Sequence, residues 1–300
     1  MIISHANKFI FFKPMKVAGS SIEVGLINSC GKNDLVTGGS HVEELNSSLH
    51  DYRPRNNQRK VRLTGEDAKN YLTSLKELGL LNSPPMTEKE INRIKEIECD
   101  TTIFTAHATP KQFLERIENK EYLDCREYHK ITVVRNPWDQ MVSFFWWSFG
   151  QPESALPAFR KIMAHAESLP EWARNIKPLP SDSVDEIKIK FETFLSRRGD
   201  NLGPFGIVED VQTAKWFGET NSEYYDHPID TVMRFENLNK DYTKLCDKLN
   251  IENIPLPSLK GTVKKKKLHF SKYYTPDSVK LVSQSFAPVI EKFGYNFEEK

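Results

Sequence analysis

The chain is short of the features that mark several large protein classes. Its 4 cysteines in 300 residues are Cys30, Cys99, Cys125 and Cys246, scattered with no CxxC spacing. That pattern disfavours a zinc site or a disulfide framework, and free thiols are expected. Charge is nearly balanced: 42 Lys+Arg against 41 Asp+Glu give a formal +1. No global field recommends nucleic acid or a membrane surface, so any anion binding must come from local clusters. No apolar run approaches the ~20 residues a membrane span needs. The first strand is expected near residue 8, which leaves no room for a signal peptide or an anchor, so a cytoplasmic location is expected. The Walker A pattern GxxxxGK[ST] is also missing. What the chain does have is 38% hydrophobic content over 300 residues, enough for one sizeable α/β core, and residues 1–300 are expected to form a single domain.

Two stretches carry most of the information. Lys8 to Asn28 reads KFIFFKPMKVAGSSIEVGLIN. Phe9 to Phe12 form a continuous apolar run, the pattern of a strand buried on both faces of a parallel sheet. A turn follows, with Lys13 and Lys16 flanking Pro14, and Ala18 and Gly19 bringing the backbone close to whatever the turn holds. Ser20 and Glu23 have the spacing of a capping box. A helix start of this kind offers N–H groups and a positive dipole end to an anion. The bland alternative is an ordinary strand-to-helix corner with solvated lysines.

The second stretch, Tyr128 to Trp147, reads YHKITVVRNPWDQMVSFFWW. Ile131 to Val134 form another buried strand. Asn136 suits an N-cap, Pro137 the first helical position, and Asp139 the first turn. Arg135 therefore projects from the carboxyl end of a strand, the edge where open α/β sheets bind ligands, and Ser143 lies two helical turns on.

Together these stretches resemble the sulfotransferases that use 3'-phosphoadenosine 5'-phosphosulfate (PAPS), in particular the carbohydrate-type branch that includes the heparan sulfate 2-O-sulfotransferases. KPMKVAGSS is similar to the family's 5'-phosphosulfate loop, PKTGGTS, with Lys16 on the loop lysine and Ser20 and Ser21 on the hydroxyl positions. RNPWDQMVS is similar to its 3'-phosphate motif, R-[ND]-P-x-x-R-x-x-S, with Arg135 and Ser143 on the phosphate-binding positions. Gln140 departs from the pattern, standing where many members carry a second arginine. The donor-binding set implied by the resemblance is Lys13, Lys16, Val17, Ala18, Gly19, Ser20, Ser21, Arg135 and Ser143. In the family a histidine at the end of the strand preceding the R-N-P strand is the general base. His107, which closes TTIFTAHA (Thr101 to Ala108), holds that place, and imidazole has a suitable pKa for the role. His129 is the nearest competitor and sits at the start of its strand, the wrong end. RFENL (Arg234 to Leu238) and FGYNF (Phe293 to Phe297) extend the resemblance towards the C-terminus, with Glu236 expected to cap the helix running to Leu249.

The rest is less specific. Ser29 to Arg62 is polar, with Arg53, Arg55, Arg59, Lys60 and Arg62 close together, either a solvated face or a contact surface for an acidic acceptor. Thr64 to Leu78 and Thr87 to Glu98 have helical spacing, the second opening on a T-x-x-E box, and are expected as a helical insertion at about 63–99. Residues 150–225 are proline-rich and irregular, with Trp147 and Trp172 nearby, and are expected on the substrate side. Lys264 to Lys267 read as a solvated or nucleic-acid-binding run. The resemblance instead implies a loop closing on the 3'-phosphate, with Lys264, Lys265 and Lys266 as contacts. Pro276 to Phe293 is expected as one closing helix.

The expected fold is a three-layer α/β domain, P-loop-like, with a central, mainly parallel sheet flanked by helices. The expected function is sulfuryl transfer from PAPS to a hydroxyl, of a carbohydrate, with Lys16 and His107 catalytic, no metal, no nucleic-acid partner and no membrane span. A P-loop nucleotide kinase and a non-catalytic binder of polyanions such as RNA or heparin are the alternatives. The acceptor and the oligomeric state are not written in these motifs.

Overall fold

Apolar side chains near the start of the chain alternate between two cores. Ile2, Phe9 and Phe11 belong to one, and Ile3, Ile10 and Phe12 to the other. The period-2 pattern is that of strands buried on both faces. A computed structural model describes residues 1–37, 55–77, 87–93, 95–149, 175–179, 181–197, 212–258 and 268–298. Its central sheet has five strands: β1 (Ile2–Ser4), β2 (Phe9–Phe11), β3 (Leu35–Val36), β6 (His129–Val134) and β7 (Thr231–Arg234), in the order β3-β1-β2-β6-β7. Helices α1 (Gly19–Ile27) and α8 (Leu238–Leu249) supply Ile22, Leu26, Tyr242 and Leu245 to the core on one face. On the other face pack α4 (Pro110–Glu118), α5 (Pro137–Phe149), α6 (Val184–Ser196), α7 (Thr213–Ser222), α9 (Pro276–Ser285) and α10 (Ala287–Phe293). This second core is the more aromatic. Phe144 stacks on Phe217 at 4.3 Å between ring centroids, and Phe145 meets Phe191 edge to face at 5.3 Å.

The sheet is mixed, not mainly parallel. β2 and β7 run parallel to β6, while β1 pairs antiparallel with both β2 and β3. The expected first strand near residue 8 is in fact the second. Ile2 and Ile3 form a strand of their own, turned back through His5 to Lys8, with Lys8 in the left-handed region at φ 53°. A three-residue strand just before a polar turn carries too little periodicity to stand out.

A second, two-stranded sheet lies between β3 and α4. β4 (Gln58–Thr64) and β5 (Glu96–Thr102) pair antiparallel, and between them run α2 (Gly65–Glu77) and α3 (Glu88–Ile91). The expected helical insertion is thus half sheet. The Thr87–Glu90 capping box is present, but α3 stops at Ile91 and Glu96 already begins a strand. The register sets Lys60 opposite Asp100 and Arg62 opposite Glu98. The basic strand therefore faces an acidic one, and opposite charges across a ladder stabilise the pair rather than leaving a uniformly basic surface. Arg53 lies outside the described residues.

The closing helix is two helices. α9 ends at Ser285 and α10 starts at Ala287, with Pro288 in its first turn, where a missing N–H interrupts no ladder. Among the described residues no helix is long and apolar enough to cross a membrane.

Candidate functional site

β2 delivers its carboxyl end into a loop at Lys13 to Ala18, and that loop meets the carboxyl end of β6. Parallel pairing places both ends at one edge of the sheet. The loop backbone is tightly wound: Lys16 and Ala18 both sit at φ 62°. Left-handed backbone disfavours residues with a Cβ, typically by about 1 to 2 kcal/mol. Ala18 is the N-cap of α1, so no side chain caps this helix, and its carbonyl accepts from Ser21 N at 3.0 Å. At Gly19 an added Cβ would run into the side chain of Lys13.

The Ser20–Glu23 capping box is not formed. Ser20 lies inside the first turn, and Glu23 is fully buried in an ion cluster. Its Oε2 accepts from Lys13 Nζ at 2.5 Å and its Oε1 from the Met1 ammonium at 2.7 Å. That ammonium also donates to Thr37 Oγ1 at 2.7 Å. Lys13 is only 3% exposed, so it is not one of the solvated lysines of the bland alternative. Its ammonium is committed to Glu23, which holds the root of the loop against α1.

Lys16 is half-buried at the turn, with Nζ 5.0 Å from the centre of the Trp147 ring. Its carbonyl accepts from Arg135 Nη1 at 2.8 Å. Arg135 is clamped from a second side by Asp139, whose Oδ2 takes bonds from Nε at 2.9 Å and Nη2 at 2.7 Å. The guanidinium lies 3.9 Å from the centre of the Phe235 ring. The arginine at the strand end is therefore oriented before any ligand arrives.

Asn136 caps α5 as expected, its Oδ1 accepting from Trp138 N at 3.1 Å and Asp139 N at 3.3 Å. Glu236 is not a helix cap. It accepts from Asn136 N at 2.6 Å and from the Tyr295 hydroxyl at 3.0 Å, and so joins the β6 and β7 ends to the C-terminal segment. Gln140 is 2% exposed. Its Nε2 donates to Met15 O at 2.6 Å and to Asn221 Oδ1 at 3.1 Å, clasping the loop to α5 and α7. Ser143 is half-buried one turn beyond Asp139 on the same helix.

His107 does not end a strand of the central sheet. β5 stops at Thr102, belongs to the small sheet, and is followed by a turn in which His107 sits. The turn nevertheless carries it to the loop: Nδ1 lies 2.8 Å from the carbonyl of Lys13. A carbonyl only accepts, so in the neutral ring Nδ1 bears the proton and the lone pair is on Nε2. The Tyr224 hydroxyl donates to the carbonyl of His107 and fixes the turn from the other side. His129 lies at the opposite end of β6, where Nε2 meets Thr231 Oγ1 at 2.8 Å and burial lowers its pKa.

The structure thus brings Lys13, Lys16, Ala18, Gly19, Arg135 and His107 to one loop. Lys264 to Lys267 and Trp172 lie outside the described residues. A cleft of about 330 Å³ opens beside Arg135, lined by Phe235, Phe270, Tyr295, Asp139, Glu236 and Glu298 among others. Its three carboxylates make it a poor seat for a phosphate. Burial pushes the thiols of Cys30 and Cys125 up to about 12, so neither is a thiolate nucleophile unless a bound cation displaces its proton. Sequence reasoning missed Glu23 as an ion-pair partner, and missed Gln140, Asn221 and Tyr224 as supports. Gln140 alone left a trace, as the departure inside an otherwise matching motif. No protein-family model, no curated protein and no solved structure matches the chain.

Proposed function

We propose that this protein is a PAPS-dependent sulfotransferase that transfers the sulfuryl group to a hydroxyl, of a carbohydrate, on a P-loop-like scaffold. One observation carries the reading. Residues selected by the resemblance from distant parts of the chain converge on a single turn: Arg135 bonds the carbonyl of Lys16, 119 residues away, and His107 bonds the carbonyl of Lys13, 94 residues away. Ala18 adds support. It stands at the first glycine of PKTGGTS, and it holds the left-handed backbone that glycine adopts without steric cost.

In this reading the acceptor hydroxyl oxygen attacks sulfur while its proton passes to Nε2 of His107. The bond from sulfur to the bridging oxygen breaks in line, and the electron pair leaves on the 5'-phosphate of adenosine 3',5'-bisphosphate. Charge grows on that oxygen only as the bond breaks, so a cation beside it stabilises the transition state more than the ground state. Lys16 supplies it, turning from Trp147 towards the loop. Lys13 holds the loop root through Glu23 and orients His107 through its own carbonyl. Arg135, set by Asp139 and Phe235, takes the 3'-phosphate with Ser143. Gln140 serves the loop backbone and not the nucleotide.

The test is a thermal-shift titration with adenosine 3',5'-bisphosphate, AMP and ATP. Charge-assisted bonds from arginine to a phosphate contribute on the order of 1.5 to 3 kcal/mol. The bisphosphate should therefore stabilise clearly more than AMP. Equal shifts from the two would remove the 3'-phosphate assignment, and a preference for ATP would favour a kinase.

A further inference from the structure

At the amino ends of β2 and β6, away from the Lys13 to Ala18 loop, three side chains of different chemistry face one another. His5 lies in the turn between β1 and β2, and Asp124 and Cys125 in the 3-10 turn before β6. His5 Nδ1 is 3.8 Å from Cys125 Sγ and 3.8 Å from Asp124 Oδ2, and Cys125 Sγ is 3.6 Å from Asp124 Oδ1. With metal bonds of about 2.3 Å to sulfur and about 2.0 to 2.2 Å to nitrogen and oxygen, the edges of a tetrahedral zinc site come to roughly 3.3 to 3.6 Å. Taking one donor atom from each residue, the three lie within 4.8 Å of one another, and rotation of the exposed Asp124 side chain can close them onto one face of such a site. We infer that His5, Asp124 and Cys125 form a binding site for a zinc-class divalent cation.

The surroundings fit the donor set. The Tyr128 hydroxyl lies 3.0 Å from His5 Nδ1 and accepts from Lys8 Nζ at 3.2 Å. Nδ1 has one in-plane lone pair, so a metal would take it in place of the hydrogen bond with Tyr128, whose oxygen keeps its bond from Lys8. The His5 backbone is fixed independently, since Asp34 Oδ1 accepts from His5 N at 2.8 Å and from Ala6 N at 3.2 Å. Asp34 Oδ2 accepts from Ser4 Oγ at 2.7 Å and Gly31 N at 2.8 Å. A ligand held on such a scaffold needs little reorganisation. Cys125 is fully buried, while the Asp124 side chain is 70% exposed. The fourth position therefore faces solvent and suits water, and nitrogen, oxygen and thiolate together favour zinc over magnesium or calcium. The ion would staple the β1–β2 turn to the entrance of β6.

Cobalt(II) is the probe for the test, because thiolate coordination gives a near-ultraviolet charge-transfer band and a tetrahedral site gives intense visible bands. The full chain, reduced and stripped with chelator, should bind one equivalent of Co²⁺ with both signatures, and Zn²⁺ should displace it. Asp124→Asn, at an exposed position that leaves the core intact, should weaken binding by at least about 10- to 100-fold, the usual cost of disturbing a metal site. Cys125→Ser should abolish the charge-transfer band. A parent protein with no thiolate band refutes the site without any variant, and so does a band that survives Cys125→Ser with unchanged intensity.

Discussion

Glu23 gives the sharpest test of how the loop is held. It is fully buried, and its two oxygens are divided between the Lys13 and Met1 ammonium groups. Breaking a buried ion pair by removing one partner typically costs about 3 to 5 kcal/mol, because the charge left behind is desolvated and uncompensated. Glu23→Gln keeps the shape and leaves two cations facing a neutral amide, so the upper end, about 5 kcal/mol, applies. Lys13→Met keeps most of the packing and leaves Glu23 with the Met1 ammonium, so the lower end, about 3 kcal/mol, applies. For a chain of this length each kcal/mol lowers Tm by about 2 °C. The expected losses are then about 10 °C and about 6 °C, in that order. Thermal and urea melts at low salt and at about 1 M salt read the effect. The Debye length at 1 M is about 3 Å, yet a buried pair is little screened, so both differences should persist. Melting of Glu23→Gln within about 2 °C of the parent, or a Lys13→Met penalty that disappears in salt, would mean that the pair is exposed and that Lys13 is a surface charge.

Three further outcomes are expected. His107→Ala should leave bisphosphate affinity nearly unchanged while lowering turnover by roughly 10² to 10⁴, the usual worth of a general base; transfer at the parental rate would remove His107 from the reaction. Lys16→Ala should lower kcat by orders of magnitude under saturating PAPS with little change in product affinity. Lys13→Met, compared at a temperature where it remains folded, should lose much less kcat, and the reverse order would put the loop in another register. Gln140→Ala removes the donor to Met15 O and strands Asn221 Oδ1, which should destabilise by about 1 to 3 kcal/mol in a urea melt. Gln140→Arg should not restore it, since a longer, charged guanidinium would be buried at a 2% exposed position with no carboxylate to pair it.

The parts that could be read in the sequence were those with local causes. The apolar run at Phe9 to Phe12, the buried strand at Ile131 to Val134 and the Asn136-Pro137 helix start each rest on a few adjacent residues, and each is present. The helix expected to run to Leu249 is present too, whereas the stretch expected to be irregular at 150–225 contains α6 and α7. What could not be read depends on residues far apart. Glu23 has the spacing of a capping box, and only the fold reveals that Lys13 and Met1 claim both of its oxygens. Gln140 looked like a lost arginine until Met15 and Asn221 came beside it. β1 and β4 were missed because a short or polar strand shows its identity through its partner, and the charges of β4 are answered by those of β5. His107 was given the right neighbourhood through the wrong element, since a turn and not a strand end carries it there.

The parallel pairing of β2 with β6 also governs how the site comes into being. Thr132 Oγ1 bonds the carbonyl of Phe12 across 120 residues of intervening chain, and the two strands carry the loop and Arg135 respectively. Closing a chain segment of that length costs entropy before any contact repays it, with about 0.6 kcal/mol added for each doubling of the segment. Topologies dominated by such pairings fold slowly. The loop and the arginine therefore cannot meet in any early species built from local contacts alone, and an N-terminal fragment ending before β6 would have the loop without its second half. A ligand that bridges the two strands binds only chains in which this closure is complete. It would accordingly retard unfolding while leaving the rate of the search that forms the pairing unchanged.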